Sequence, residues 1–264
     1  SAKVIEYINV CREMGIKVLP PDINSGVAGF SVKDGCIVYG LTAVKSVGYN
    51  VINIIVEERE KHGLYENMQD FLERVSEKEV NKRTVENLIL AGAFDCFEGS
   101  RHQKMILYPQ ILDHITSERK HAMDGQMNLM DFLGGEEKEA FEVHMPDVPD
   151  YTKEEKLAFE KQVLGVYISG HPLEDYEVFL EKHTDATSKD FSAEEDTDDD
   201  AVGEKSDLLL EESVSIRDGQ MCTIGGLVTE VTIKITKNNQ NMAYVTLEDL
   251  YGSVEILVFP KAYE

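Results

Sequence analysis

The chain of 264 residues contains 26 basic and 50 acidic residues, which give a formal net charge of −24, and 42% of its residues are hydrophobic. This composition is typical of a globular protein with room for two domains. It excludes a helix that spans or anchors in a membrane, because no apolar run approaches the roughly 20 residues that a bilayer requires. The four cysteines lack C-x-x-C spacing, which excludes a zinc ribbon and a disulfide framework and predicts a cytoplasmic protein.

The acidic residues are concentrated in the second part of the chain. Residues 1–110 contain 13 basic and 15 acidic residues, whereas residues 111–264 contain 13 and 35. The net charge therefore does not argue against a nucleic-acid surface in the first part. The run Glu194–Asp200 and the residues after it lack aromatic side chains and repel one another, which predicts a solvated acidic linker over residues 191–216. An acidic DNA mimic or a divalent-metal site is the functional alternative for this run.

The first 39 residues are predicted to form a helix, a rigid elbow and a hairpin. Apolar residues recur at mostly three- and four-residue spacings over Val4–Gly15, and the glycine ends the helix. Tandem prolines at 20–21 fix an extended elbow. Two short segments around a glycine then predict a β-hairpin over Phe30–Asp34 and Cys36–Tyr39.

The segment Leu41–Lys61 is predicted to be a helix-hairpin-helix, in which a tight turn joins a short helix to a helix that starts at Tyr49. The N–H groups and the partial positive charge of a helix N-terminus attract a phosphate oxygen, and small residues let a DNA backbone approach. The predicted DNA contacts of this turn are Lys45, Ser46, Val47 and Gly48. The alternative is an ordinary helical corner packed through Val44, Val47, Val51 and Ile54.

A second predicted phosphate-binding element lies at residues 81–95. Asn81 is a candidate N-cap for a helix that closes at Gly92, and Lys82 and Arg83 stand in its first turn. Cations at a helix N-terminus are unfavourable for the helix itself, so they indicate an external anion. Contacts to phosphates carry no sequence information, and the two elements therefore predict duplex DNA binding without sequence preference.

Helices continue beyond this element. A long helix is predicted over Ser100–Met123, and Pro109 is expected to kink it or split it in two. An acidic, proline-containing connector follows at 133–150. Two further helices are then predicted over Lys153–Val163 and Leu173–His183.

The segment Gln126–Phe132 leaves the end of the long helix and is flanked by glycines. A peptide that docks into a groove needs one polar group to set its register and a few large apolar groups to fill subpockets. The residues that fit these roles are Gln126, Leu129, Met130 and Phe132. The alternative is an amphipathic turn packed on its own domain.

The C-terminal part changes from helical to alternating periodicity. Residues Met221–Thr236 predict a long strand bent at its glycines, followed by strands over Met242–Glu248 and Ser253–Phe259. Three meandering strands match the opening of an OB-fold, which has five strands, so the chain is expected to stop inside this domain.

Four strings along the chain resemble the alpha subunit of bacterial DNA polymerase III, of the DnaE type. In chain order they are Gly15–Gly26, Gly40–Gly48, Asn81–Asp95 and Gly165–Pro172, and the C-terminal strands follow them. The segment Gln126–Phe132 is similar to the internal sliding-clamp-binding motif of such polymerases. The chain departs from the usual family pattern at Ser46, where glycine is common.

The resemblance implies a multidomain α+β protein that is mostly helical, with helix-hairpin-helix motifs, in its N-terminal part and all-β in an incomplete C-terminal OB-fold. The implied domains are the end of the fingers at 1–39, a helix-hairpin-helix and clamp-binding domain at 40–135, a connector with helices at 136–190, the acidic linker at 191–216 and three OB-fold strands at 217–264.

The implied function is to bind duplex DNA and the sliding clamp behind the active site of a DNA-directed DNA polymerase, which is a nucleotidyltransferase. The implied clamp contacts are Gln126, Leu129, Met130 and Phe132, and the implied contacts to single-stranded template on the OB-fold are Lys234, Lys237 and Tyr244. The parent polymerase would use Mg²⁺. This part is expected to hold no metal, cofactor or catalytic residue and to be inactive alone, because the catalytic carboxylates of the family precede it. Other replisome subunits are further implied partners.

Two other classes of protein remain open from the sequence. One is an accessory helix-hairpin-helix and OB-fold module of a repair or recombination protein, and the other is a protein-interaction adaptor that uses the acidic segments. The proline elbow and the string Gly165–Pro172 favour the polymerase.

Overall fold

The computed structural model describes residues 2–75, 80–123, 144–191 and 216–263. Contacts divide the chain into two compact units, one formed by residues 11–170 and the other by residues 1–10 with 171–264. The predicted clamp-binding segment Gln126–Phe132 and nearly all of the predicted acidic linker at 191–216 lie outside the described residues. None of the helices in the described parts of the chain combines the length and hydropathy that crossing a bilayer requires.

The N-terminal elements follow the predicted order. Helix α1 covers Ala2–Glu13, and strand β1 (Val18–Leu19) pairs in parallel with β3 (Cys36–Val38), which pairs antiparallel with β2 (Ser31–Lys33). The predicted hairpin is confirmed. Its two-residue turn has positive φ at both positions, 51° and 76°, which is the turn geometry that suits the twist of two antiparallel strands.

Five helices form most of the 11–170 unit within its described residues. They are α2 (Tyr49–His62), α3 (Met68–Val75), α4 (Lys82–Leu90), α5 (Arg101–Met123) and α6 (Lys153–Leu164). Their apolar faces meet around aromatic side chains: the rings of Phe71 and Phe94 make an edge contact at 4.9 Å, and Phe97 stacks on Phe94 at 5.7 Å. Helix α5 packs against both α3 and α4 and so covers one side of this core.

Helix α5 runs through Pro109 without interruption, so of the two predicted effects, a kink or a split, the split is wrong. A proline inside a helix costs about 3 kcal/mol because it removes one hydrogen bond and crowds the preceding turn. Here Leu107, Tyr108, Ile111 and Ile115 are buried on both sides of it. Because each buried apolar side chain contributes about 1.5–3 kcal/mol, packing outweighs the local penalty.

The unit that contains residues 171–264 is built around an antiparallel sheet. Strand β4 (Leu227–Ile235) pairs with β5 (Asn241–Glu248), which pairs with β6 (Ser253–Val258). A short 3-10 turn and helix α7 (Glu177–His183) precede the sheet in sequence, and helix α8 (Pro260–Tyr263) follows it. The strands form a meander, as predicted.

The first strand of this sheet is shorter than predicted. Residues 221–226 do not join the β4–β5 ladder, and two of them, Thr223 and Ile224, pair with the segment after α7 instead. Thr223 accepts hydrogen bonds from the N–H groups of Asp185 and Ala186, and Ala186 forms a parallel bridge with Ile224. The predicted start of the strand at Met221 is therefore wrong, and the strand begins at Leu227.

Candidate nucleic-acid interface

The turn at residues 45–48 is fixed from behind by apolar side chains. A 3-10 helix over Leu41–Ala43 leads into it, and Leu41, Val44 and Val47 are buried. Lys45, Ser46 and Gly48 are exposed on its outer side. The turn thus combines the two interpretations of the sequence, the phosphate-binding turn and the packed helical corner. Its inner side is packed with apolar residues, and its outer side is open to solvent and carries small and basic residues.

Ser46 adopts a left-handed backbone conformation with φ +64°. This conformation costs an L-residue about 1–2 kcal/mol and suits glycine, which is the residue that the family resemblance leads one to expect here. The turn keeps this geometry because helix α4 holds its carbonyl groups. Thr84 Oγ1 donates to the Ser46 carbonyl at 3.1 Å, and Asn87 Nδ2 donates to the Lys45 carbonyl at 2.6 Å.

These two hydrogen bonds bring the two predicted phosphate-binding elements together. Because Thr84 and Asn87 lie on α4, the start of that helix stands beside the turn, and its residues Lys82 and Arg83 are exposed there. Neither they nor Lys45 form an ion pair among the described residues. We call the outer face made by Lys45, Ser46, Gly48, Lys82 and Arg83 the hairpin surface.

Helix α2 supplies the backbone donors of the hairpin surface. Its N-cap is Gly48, which offers no side-chain cap, so the first N–H groups of the helix, starting at Tyr49, lack a capping acceptor. A Cβ added at Gly48 would meet nothing within 4 Å, so the approach to these donors is open. The exposed N-terminus of a 14-residue helix, with Lys45 beside it, is an electrostatically favourable place for an anion.

Two predicted contact residues also have roles inside the fold. Asn81 caps α4 as predicted, because its side chain accepts a hydrogen bond from Thr84 N–H at 2.9 Å. Val47 has a buried side chain, and its N–H donates to the Val44 carbonyl at 3.1 Å. The side chain of Val47 therefore lies outside the hairpin surface, whereas Asn81 is exposed beside Lys82 and stays a predicted DNA contact.

Sequence reasoning missed the residues that support the turn. Thr84 and Asn87 are polar residues three positions apart on a helix whose neighbouring positions Val85 and Leu88 are buried. This pattern, two polar residues at i and i+3 beside an apolar stripe, was the feature of the sequence that could have identified them. The third support, the carbonyl of Val163, accepts the Lys45 N–H at 2.8 Å and carries no side-chain signal.

The candidates on the sheet are partly brought together. Lys234 Nζ lies 4.3 Å from the ring centroid of Tyr244, a cation–π contact between neighbouring strands. Lys237 is exposed in the turn that follows β4. On the opposite side of the ladder, Val231 pairs with Val245 and Ile233 pairs with Ala243, which forms an apolar face.

A family model and several curated proteins are similar in sequence to this chain. A family model described as a helix-hairpin-helix motif matches residues 15–104, which include the whole hairpin surface. The chain is 30% identical over 263 residues to the DNA polymerase III subunit alpha of Borreliella burgdorferi, 32% over 265 residues to that of Vibrio cholerae and 34% over 264 residues to that of Deinococcus radiodurans.

These alignments cover 99%, 100% and 100% of this chain, but 21%, 21% and 19% of the three relatives. The chain thus spans about a fifth of the length of the curated relatives that it matches.

Proposed function

The chain is homologous along its whole length to a segment of the DNA polymerase III alpha subunit, and we propose that it binds duplex DNA through the hairpin surface. One observation carries the proposal: the side chains of α4 hold the carbonyls of the turn, so that the exposed residues Lys45, Lys82 and Arg83 lie on two elements that meet next to the uncapped start of α2. One phosphate can meet the N–H groups of α2 while neighbouring phosphates meet the three cations. Such contacts are independent of base sequence, as a polymerase that moves along any template requires.

The parent protein that we propose is a DNA-directed DNA polymerase, in which Mg²⁺ would assist nucleotidyl transfer. In the described ranges, no group of three or more His, Cys, Asp or Glu could hold a metal ion. We propose that the task of this chain within the polymerase is to hold DNA. Its partners would include the other replisome subunits.

The duplex proposal predicts a strong effect of charge reversal on the hairpin surface. The double variant Lys82→Glu/Arg83→Glu should weaken binding to all duplex sequences alike, by about tenfold or more at 50 mM salt, because two phosphate contacts become repulsive. The slope of log affinity against log salt should also fall in magnitude by about two. Fluorescence anisotropy of the whole chain with two unrelated labelled duplexes, between about 50 and 200 mM salt, measures both quantities.

The control is Lys33→Glu/Lys61→Glu, which changes the net charge equally at exposed sites outside the hairpin surface. Lys61 lies near the opposite end of α2 from Gly48, roughly 20 Å away by the helix rise. Equal loss of affinity in the two double variants, or salt-independent binding, would show that the hairpin surface is not the DNA site.

The sheet is a second proposed DNA contact. We propose that β4–β6 are the first strands of an OB-fold whose polar face, with Lys234 and Tyr244, stacks a base of the single-stranded template, and that Lys237 contacts its backbone. The cation–π pair supports this, because it presents an aromatic ring beside a positive charge. A single-stranded oligonucleotide in the same titration tests it, and a Tyr244→Ala variant that binds as well as the parent chain would contradict it.

We also propose that the segment Gln126–Phe132 docks into an apolar pocket of the ring-shaped sliding clamp. Burial of Leu129 and Phe132 would contribute about 1.5–3 kcal/mol each before ordering costs, so a short peptide should bind in the micromolar range. Such weak binding can still tether a polymerase, because the second contact becomes intramolecular.

Calorimetry of a peptide covering residues 124–134 against the clamp tests this proposal. Gln126→Ala and Phe132→Ala should each reduce affinity by about tenfold or more, whereas Asn128→Ala, at a spacer position, should leave it unchanged. Unchanged clamp affinity of the whole chain after the first two substitutions would exclude the segment as the anchor.

A further inference from the structure

A charge network lies behind the hairpin surface, in which Arg101 and Glu160 are buried and the side chain of Asp95 is 44% exposed. Arg101, the first residue of α5, donates from Nε and Nη2 to the carboxylate of Asp95 at 2.7–3.1 Å, and from Nη1 to the carbonyl of Leu90 at 3.2 Å. Leu90 is the last residue of α4. The same guanidinium lies 3.4–3.5 Å from Oε1 of Glu160 on α6. Arg101 therefore joins the end of α4 to α6.

The carboxylate of Glu160 is fully buried and fully engaged. Oε2 accepts the N–H groups of Ile168 and Ser169 at 3.2 and 3.1 Å, and Oε1 accepts the Ser169 hydroxyl at 2.7 Å. The string Gly165–Pro172, which contributed to the family resemblance, thus has a physical role. It folds over the end of α6 and supplies the donors that a buried negative charge requires.

Burial by itself would lower the pKa of Arg101, but its hydrogen bonds to Asp95 and the charges of Asp95 and Glu160 outweigh burial and raise it. The guanidinium of Arg101 therefore stays charged at every physiological pH. A buried ion pair of this kind is weak evidence for stability, because removing both charges from water costs as much as their attraction returns. Its geometry, which fixes two helices relative to each other, is the more informative property.

The network is connected to the turn of the hairpin surface by two routes. On one side, α4 holds the carbonyls of Lys45 and Ser46 through Asn87 and Thr84. On the other side, α6 holds the N–H of Lys45 through the carbonyl of Val163, which lies one helical turn after Glu160. Because Arg101 bridges the end of α4 and Glu160 of α6, the contacts form a closed ring that includes the turn.

We propose that Arg101 and Glu160 are positioning residues that hold Lys45 in register with Lys82 and Arg83. The proposal rests on the proposed duplex binding for its functional part. Both side chains are buried and neither touches DNA. They act through Val163 and α4, which fix the backbone that carries the three cations. The phosphates then meet a surface that is already ordered, and an ordered surface binds more tightly than a flexible one.

The test is amide hydrogen exchange of the whole chain, combined with duplex titration. In Glu160→Gln, the amide of Lys45 should exchange about tenfold faster or more, because its acceptor Val163 is no longer fixed. Duplex affinity should fall about fivefold or more, and the salt slope should fall in magnitude by about one, as expected for a lost phosphate contact.

The matched control is Lys104→Met, one turn further along α5. Lys104 is equally buried and donates to the carbonyls of Phe97 and Gly99 rather than to α6. Its substitution perturbs the same helix but should leave Lys45 exchange and the salt slope unchanged. Ser169→Ala removes only the hydroxyl that donates to Glu160. It should change the Lys45 exchange rate and the salt slope in the same direction as Glu160→Gln, but by a smaller amount. This variant keeps the test valid if Glu160→Gln does not fold.

The possible outcomes separate the two proposals. If Lys45 exchange changes no more in Glu160→Gln and Ser169→Ala than in Lys104→Met, the positioning role is overturned whatever happens to DNA binding. If the unsubstituted chain fails to bind duplex at low salt, the proposed function fails. The exchange of Lys45 then still decides whether the network holds the turn.

Discussion

Replacement of Gly92 by alanine is expected to lower the free energy of unfolding of the 11–170 unit by about 4 kcal/mol or more. Gly92 has φ +83°, a conformation that costs alanine about 1–2 kcal/mol. A Cβ at this position would also clash with Arg101 Nη2 and lie 2.9 Å from Asp95 Oδ2. The guanidinium would have to leave its partners, and breaking a buried ion pair costs about 3–5 kcal/mol.

Gly165→Ala is the matched control for this prediction. Gly165 has nearly the same backbone conformation, φ +80°, but a Cβ there would meet nothing within 4 Å. Only the conformational cost of about 1–2 kcal/mol should appear. Urea denaturation of the two variants, monitored by hydrogen exchange in α4 and α5, gives the comparison. Equal destabilisation would mean that Arg101 can move aside and that the network is not rigid.

Parts of the fold could be predicted because their causes are local in sequence. Asn81 caps a residue three positions away, and the hairpin of β2 and β3 turns on two adjacent residues that tolerate positive φ. The cations Lys45 and Lys82 could be proposed as DNA contacts for the same reason, since each stands beside a recognisable helix start. Each of these features depends on a few neighbouring residues.

The remaining features depend on residues that are distant in sequence. Glu160 meets Arg101 from 59 positions away, and the Lys45 N–H meets a backbone carbonyl at position 163. The continuity of α5 through Pro109 depends on burial against α3 and α4, which a local rule about proline does not contain. The meeting of the two phosphate-binding elements likewise depends on the contacts of Thr84 and Asn87.

The second unit has a comparable buried anchor at the turn between β5 and β6. Asp249 Oδ2 accepts the N–H of Ser188 at 2.6 Å, and Oδ1 accepts the Ser188 hydroxyl at 2.6 Å. The same Oδ1 also accepts the N–H groups of Tyr251 and Gly252, both at 2.9 Å. Asp249 and Ser188 are both buried. One carboxylate thus ties the residues before the acidic segment at 191–216 to the sheet that follows it.

Asp249→Ala is therefore expected to lower the free energy of unfolding of this unit by about 3–5 kcal/mol, since hydrogen bonds to a charged group contribute about 1.5–3 kcal/mol each and the Ser188 N–H loses a buried acceptor. The control is Asp190→Ala. Among the described residues, the Asp190 carboxylate accepts hydrogen bonds from the N–H and the hydroxyl of Thr187 in the same short turn, and its loss should cost about 1 kcal/mol. Hydrogen exchange should show the loss of protection in residues 184–191 and at the β5–β6 turn, with the 11–170 unit unchanged. If Asp249→Ala and Asp190→Ala lower the free energy of unfolding equally, the contact of Asp249 with Ser188 does not stabilise the sheet. Residues 171–191 would then be a connector that is separate from it.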